Sequence, residues 1–289
     1  MTETTVNLAD PASFDHWVED AIRFGDMDAT NHVNNVAFLM WVEDGRAPFM
    51  RLPGLPAYTD RSRFIVGNVA MRYRRQAHWP GRVRIGSRVL RVGRTSMLLA
   101  TSLFVDDACV GTAETTMIYI EDGKSVPISD AVRARLVELG GSTEPAPLPE
   151  PPPVPLTDPA SFPHWVEDNV RFGDMDSTGH VNNISIARYV ESGRVPFMRG
   201  PDMPLFTPRQ RFVVGAVSIR YRAQAFWPGA IRIGTRVLRL GNTSVTTGHG
   251  VFIDGTCIAT AETVMVFIIE GRPAPLPDDA RPVIAAMLP

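Results

Sequence analysis

The chain has 289 residues, 44% hydrophobic and 21% charged, with 29 basic against 31 acidic side chains and a net charge of −2. That length predicts about two domains, and the near-neutral balance excludes a chain that holds nucleic acid or an anionic membrane through bulk positive charge. No apolar run is long enough to span a bilayer, and the start, MTETTVNLAD, lacks the basic and apolar regions of a signal peptide, so the expected compartment is the cytoplasm, with no membrane partner.

The first predicted element is a strand over residues 14–24, where Trp17, Ile22 and Phe24 stand among charged neighbours. A polar segment, 25–34, follows. Residues 36–50 then carry apolar side chains at Phe38, Leu39 and Val42, the i, i+3, i+4 spacing of a helix, with Pro48 expected to disturb the last turn. Four strand candidates come next, at 64–73, 83–92, 96–105 and 110–120, joined by short Gly- and Asp-bearing turns and expected to form a meander. An amphipathic helix is predicted over 130–139. One long helix for five strands covers only one face of a sheet, so the fold class is α+β, with the helix on one face of a curved antiparallel sheet.

The same series then returns. Arg23-Phe24-Gly25-Asp26-Met27-Asp28-Ala29-Thr30-Asn31-His32-Val33-Asn34-Asn35 reappears as Arg171-Phe172-Gly173-Asp174-Met175-Asp176-Ser177-Thr178-Gly179-His180-Val181-Asn182-Asn183. The offset holds without a gap from Asp10/Asp158 to Glu114/Glu262. A period this long is a whole domain rather than a solenoid unit. Between the copies lies a stretch with Pro145, Pro147, Pro149, Pro151, Pro152, Pro153 and Pro155, which reads as an extended polyproline spacer. The expected division is a first domain at 8–139, a linker at 140–157 and a second domain at 158–289.

The polar segment lies between a strand and a helix, so its residues surround a helix N-terminus. Asp and Asn are ordinary turn and cap residues there, and Asp26 and Asp174 are expected to cap the turn. Asn31 stands where the second copy has Gly179, which predicts a left-handed backbone position. A turn alone does not require His, Asn-Asn and Asp-x-Asp in register in both copies. Backbone N–H groups at a helix N-terminus stabilise negative charge, including the oxyanion formed when a carbonyl becomes tetrahedral. A carboxylate beside that point attacks the carbonyl or activates a water. The combination suits hydrolysis of an activated acyl group.

On these residues the chain resembles the hotdog-fold thioesterases, in particular the 4-hydroxybenzoyl-CoA thioesterase-like branch. The resemblance rests on D-x-D-x-x-G-H-V-N-N followed by a helix with Tyr189, Glu191 and Arg194. It extends to Arg72-Tyr73-Arg74-Arg75-Gln76-Ala77, Trp79-Pro80-Gly81 and their counterparts Arg220-Tyr221-Arg222-Ala223-Gln224-Ala225 and Trp227-Pro228-Gly229. It implies tandem hotdog domains forming an intrachain pseudo-dimer, with further homo-oligomerisation left open. It implies an acyl-CoA thioesterase with Asp28 and Asp176 as catalytic carboxylates. The backbone N–H near Asn35 and Asn183 would polarise the thioester carbonyl. His32, His180, Asn34 and Asn182 would shape the site or hold the water. Coenzyme A enters as part of the substrate, and no separate cofactor is expected.

Other residues read more plainly. Glu43/Arg46 and Glu191/Arg194 have helix ion-pair spacing. His16 and His164 are expected on a strand surface, and His78 and His249 have no partner pattern. Cys109 and Cys257 are expected to be buried thiols, and no Cys/His cluster has metal-ligand spacing, so no metal is predicted. The arginines around Arg74 and Arg222 suit either a solvated sheet face or a cationic rim for the phosphates of coenzyme A. Only Tyr73 and Tyr221 interleave with them, too few aromatics for RNA binding. An acyl-ACP thioesterase and a non-catalytic acyl-CoA-binding or regulatory module are the alternatives. A hotdog dehydratase fits less well, because no His is followed closely by Gly and an acid in the helix region.

Overall fold

The computed structural model describes residues 6–56, 58–59, 61–144, 151–200, 203 and 210–289, in two compact units, 1–148 and 149–289. The linker prolines Pro145, Pro147 and Pro149 lie outside the described residues.

The first unit contains β1 (His16–Ile22), α1 (Asn35–Phe49), β2 (Ser62–Tyr73), β3 (Gly81–Val92), β4 (Ser96–Val105), β5 (Ala108–Glu121), β6 (Lys124–Ser125) and α2 (Asp130–Glu138). The second contains β7 (His164–Asn169), α3 (Asn183–Met198), β8 (Gln210–Tyr221), β9 (Ala230–Leu240), β10 (Ser244–Ile253), β11 (Thr256–Ile269), β12 (Arg272–Pro273) and α4 (Ala280–Ala285). Within the first unit the strands run β1-β3-β4-β5-β2, and within the second β7-β9-β10-β11-β8, all antiparallel. The first strand is shorter than its apolar pattern suggested, because Phe24 already belongs to a turn of 3-10 helix.

The expected meander fails at one connection. β2 pairs with β5 rather than with β3, and β3 pairs with β1 instead. The segment between β2 and β3 spends its hydrogen bonds elsewhere: Ala77 O accepts the Val33 N–H at 2.9 Å, and Val110 O accepts the N–H groups of Arg74 and Arg75. It therefore fastens the polar segment to the sheet and cannot close a hairpin.

The helix packs on one sheet face because its buried stripe, Phe38, Trp41, Val42, Gly45 and Phe49, is continuous. Gly45 costs helix stability of about 1 kcal/mol relative to Ala. Its Cβ, however, would lie 2.4 Å from Ile85 Cγ2, and that of Gly193 2.4 Å from Ile233 Cγ2. Both helices thus approach the sheet more closely than any side chain allows. Pro48 does not end α1 early: it sits in the last turn, and Met50 N–H still reaches Arg46 O at 3.0 Å. A core of Phe49, Leu99, Met117 and Leu136 closes the first unit, and Phe197, Val245, Phe267 and Ile284 close the second. The opposite sheet face carries its own apolar cluster, Phe14, Ala100 and Phe104 in the first unit and Leu156, Phe162, Leu238 and Phe252 in the second.

Three histidines depart from expectation. His16 and His164 are not on a strand surface but turn inward, their rings 5.4 Å from those of Phe49 and Phe197, with buried Nε2 atoms that have no partner among the described residues. Their strands lie over the helix C-termini, so the face that looked polar is the packed one. His249 is fully buried between Thr235 Oγ1 (3.1 Å from Nδ1) and Thr247 Oγ1 (3.0 Å from Nε2). Burial, aided by the Arg194 guanidinium, pulls its pKa from 6.5 down to about 3. The unfolded chain then binds a proton that the folded one refuses between those values. Stability of the second unit is therefore full above pH 6.5 and falls as the pH drops toward 3. The first unit has Thr101 at the equivalent position. His249→Thr is expected to flatten the slope of the second unit's melting temperature against pH across this window; an unchanged slope would assign the acid sensitivity to another group.

Candidate active site

The polar segment builds the same device in each unit. After β1 the chain makes one turn of 3-10 helix, Phe24–Asp26, and Asp26 Oδ2 accepts the Arg23 N–H at 2.8 Å. Asp26 O accepts the Asn34 N–H at 2.8 Å. Asp174 repeats both contacts with Arg171 and Asn182, each at 2.8 Å. These buried carboxylates cap and clamp the segment, as expected of the first Asp in Asp-x-Asp.

The second Asp is placed differently. Asp28 is half-buried, and its Oδ1 accepts the Thr30 N–H at 2.7 Å and the Thr30 hydroxyl at 2.6 Å. Asp176 does the same with Thr178, at 2.8 Å and 2.5 Å. Thr30 Oγ1 lies 3.1 Å from His32 Nδ1, and Thr178 Oγ1 2.9 Å from His180 Nδ1. A hydroxyl has one proton, which the carboxylate takes, so His Nδ1–H is assigned as the donor to the Thr oxygen. The result is a His→Thr→Asp chain that fixes one carboxylate oxygen. The other oxygen, Oδ2, accepts no hydrogen bond among the described residues. Asn31 closes the loop at φ 64° and Gly179 at φ 77°, the predicted left-handed position. A Cβ on Gly179 would meet nothing within 4 Å, which is why Asn fits in the first unit.

Seven residues beyond Asp28 the helix begins. Asn34 is its N-cap, Oδ1 accepting the Val36 N–H at 2.7 Å, and Asn182 caps α3 through Ile184 at 2.6 Å. Asn35 and Asn183 are the first helical residues, at the positive end of the helix dipole. Their carbonyls are held by Tyr73 (2.9 Å) and Tyr221 (3.4 Å) hydroxyls from the ends of β2 and β8. Thus one short segment brings Asp28, His32, Asn34 and Asn35 together, and another Asp176, His180, Asn182 and Asn183. Arg74 and Arg222 are not among them: each follows the tyrosine at a strand end, and Arg222 Nε donates to Thr260 Oγ1 at 3.3 Å on the sheet face away from the helix.

Sequence reasoning passed over Thr30 and Thr178. Their signal was present, since Asp-x-Thr is the spacing of a side-chain-closed turn and it recurs in both copies. It also passed over the aromatic pairs exposed beside the segment, Phe24 with Trp79 and Phe172 with Trp227, packed edge to face at 5.4 and 5.5 Å.

The two units differ behind the motif. Tyr189 donates its hydroxyl to Asp174 Oδ2 at 2.6 Å, and Ser185 Oγ donates to Asp174 O at 3.1 Å. Burial, and then the Asp174 carboxylate, raise the Tyr189 pKa strongly, so it remains a donor. The first unit has Trp41 and Ala37 there, and the buried Trp41 Nε1 has no partner among the described residues. The expected helix ion pairs are present, Glu43–Arg46 at 3.1 Å and Glu191–Arg194 at 3.5 Å. Burial raises the pKa of Cys109 and Cys257, keeping both as thiols. Among the described residues no group of three or more His, Cys, Asp or Glu could hold a metal ion, and no helix is long and apolar enough to cross a membrane.

A helix packed on a curved antiparallel sheet, with an Asp-bearing segment at its N-terminus, defines the hotdog fold, here present twice. The model of the thioesterase-like superfamily matches residues 22–136 and again 170–285, so the chain belongs to that superfamily and is a thioester hydrolase. Solved structures agree in fold. A protein assigned as an oleoyl thioesterase from Lactobacillus plantarum is 14% identical, with a TM-score of 0.72 over 88% of this chain and 96% of that one. The 12:0-ACP thioesterase from Umbellularia californica is 12% identical, with a TM-score of 0.69 over 87% and 93%. An acyl-ACP thioesterase from Bacteroides thetaiotaomicron is 12% identical, with a TM-score of 0.67 over 86% and 96%. No curated protein sequence matches the chain.

Proposed function

We propose that the chain hydrolyses acyl-CoA thioesters to the free acid and CoA, with one site in each repeat. The observation that carries this reading is the carboxylate of Asp28 and Asp176, fixed through one oxygen by the Thr that His backs, in the segment that leads into a helix N-terminus. Fixing the group lowers the entropy lost on reaching the reactive geometry. The Oδ2 atom takes a proton from water as the water adds to the thioester carbonyl. The developing oxyanion is stabilised by the helix N-terminus at Asn35 or Asn183. Collapse of the tetrahedral intermediate breaks the C–S bond, and the proton passes to the departing CoA thiolate. Direct attack by the carboxylate gives the same products through a mixed anhydride. A single turnover in labelled water reveals the anhydride route where water opens the anhydride at the Asp carbonyl, since that leaves label in the Asp side chain and the general-base route does not.

His32, His180, Asn34 and Asn182 act as walls that hold this geometry, and Arg74 and Arg222 meet the anionic end of the substrate. Two thiols kept in reduced form suit a reducing cytoplasm. An acyl-ACP carrier is the alternative, supported by the names of two of the structural neighbours and, at their identity, by nothing finer than fold. Thiol release from matched acyl groups on CoA and on ACP, across short branched, aromatic and long chains, tests the reading. CoA esters are expected to turn over faster; faster release from ACP overturns the carrier assignment, and binding of an acyl-CoA analogue without release from either carrier favours a regulatory module.

A further inference from the structure

The segment that carries the reactive carboxylate is rimmed in each unit by rings from the connection between β2 and β3, or between β8 and β9. Backbone hydrogen bonds hold that connection against the segment: Ala77 O accepts the Val33 N–H at 2.9 Å, and Ala225 O accepts the Val181 N–H at 2.8 Å. The residue that follows falls beside the histidine of the His→Thr→Asp chain. In the first unit it is His78, its ring 5.1 Å from that of His32 at an interplanar angle of 52°. In the second it is Phe226, its ring 5.1 Å from that of His180 at 53°. The backbone thus delivers a ring to the same place in both units, and the two copies put different chemistry there.

The surroundings of that ring match. Phe24 packs on Trp79 as Phe172 packs on Trp227, and Asp28, Thr30 and His32 have Asp176, Thr178 and His180 as twins. The contrast lies in the ring itself. Phe226 is 52% exposed, beside Phe172 at 75% and Trp227 at 49%, so the second unit shows water three large apolar rings next to its carboxylate. A contiguous apolar patch of this kind marks a place where something apolar binds. His78 is also exposed, but it is polar and anchored, with Nδ1 3.2 Å from Asn31 O. A carbonyl oxygen only accepts, so Nδ1 carries the proton, which leaves Nε2 of the neutral ring as an acceptor. That Nε2 makes no hydrogen bond among the described residues.

We propose that this ring makes the two sites select different acyl groups. The second takes plain apolar chains, laid over Phe226, and the first takes chains whose tail carries a hydroxyl, donated to His78 Nε2. The proposal rests on thioester hydrolysis at Asp28 and Asp176. The carrier arm is the same in every acyl-CoA, so copies that differ at one ring differ in selectivity only through the part that varies, the acyl group. A hydroxyl laid over a phenyl ring gives up hydrogen bonds to water with no replacement, whereas His78 supplies one. An alkyl chain gains by covering Phe226 and Trp227, and gains less over an imidazole whose acceptor it takes from water. The fused chain would then serve two classes of thioester, one with each copy of the motif.

Asp176→Asn leaves the first site to act alone and Asp28→Asn the second, and each full-length protein is assayed with hexanoyl-CoA and 6-hydroxyhexanoyl-CoA. The ratio of kcat/KM for the plain ester over the hydroxylated one is expected to be about tenfold higher at the second site, the size of one hydrogen bond made or lost. His78→Phe in the Asp176→Asn protein should raise the ratio about tenfold, and Phe226→His in the Asp28→Asn protein should lower it as much. Both exchanges install the twin's residue at an exposed position, and melting temperatures report that the fold persists. Equal ratios at the two sites, or exchanges that change both esters by one factor, overturn the proposal. A second readout needs no turnover. In calorimetric titrations with the non-hydrolysable S-hexyl-CoA and S-(6-hydroxyhexyl)-CoA, His78→Phe should weaken binding of the hydroxylated thioether and Phe226→His that of the plain one; unchanged binding of both overturns the proposal. These shifts in a protein that releases no thiol would sink the hydrolytic reading and keep the selectivity, whereas thiol release with equal ratios does the reverse.

Discussion

Thiol release from a good acyl-CoA substrate is expected to fall by about a thousandfold when Asp28 and Asp176 are both replaced by Asn, the size of effect a positioned general base supplies. Asparagine matches the carboxylate in shape, and its Oδ1 still accepts the Thr30 or Thr178 N–H, so the turn is retained and the loss reports chemistry. Near-wild-type release in the double variant would remove these carboxylates from the mechanism. The single variants divide the activity between units. Asp174 is held by Tyr189 as well as by the Arg171 N–H, whereas among the described residues the Asp26 carboxylate accepts only the Arg23 N–H, so the second segment is held more firmly. Asp28→Asn should therefore keep more than half of the wild-type rate, and Asp176→Asn less than half. Equal halving would show that the tyrosine does not affect turnover.

The largest effect on stability is expected at Gly45. A valine there must displace Ile85, whose Cγ2 lies 2.4 Å from the position of the new Cβ and which is fully buried against the sheet. Overpacking of this kind costs about 3 kcal/mol, more than the helix-propensity gain of about 1 kcal/mol at most from replacing glycine. Denaturant unfolding should show the first unit losing that stability while the second is unchanged. Gly25→Ala is the control, since a Cβ at Gly25 meets nothing within 4 Å. A Gly45→Val protein as stable as wild type would mean that α1 can rise from the sheet without penalty.

The elements of each unit were legible because their patterns are local. The Phe38, Leu39 and Val42 spacing marks α1 whatever it packs on, and the left-handed site could be read from the Asn31/Gly179 exchange alone. The pairing of β2 with β5 could not be read, because it depends on where the N–H and C=O groups of residues 74–77 find partners across the chain. The inward turn of His16 was hidden for a similar reason: a seven-residue strand with polar and apolar residues on both faces does not declare which face meets Phe49. Within the site, Asp28 and His32 stood out by type and repetition, but the hydroxyl between them was masked by its commonness in turns.

Of the five tryptophans, Trp17 pairs with Trp165 and Trp79 with Trp227 across the repeat, which leaves Trp41 without a twin. It is wholly enclosed, its ring 5.1 Å from that of Phe38, in the helix that the first unit's motif begins. An indole in such a setting emits at shorter wavelength than its half-exposed neighbours. The protein therefore carries an intrinsic fluorophore that belongs to one half only. Ligand titrations followed at that wavelength can read occupancy of the first half alone, in an otherwise duplicated molecule.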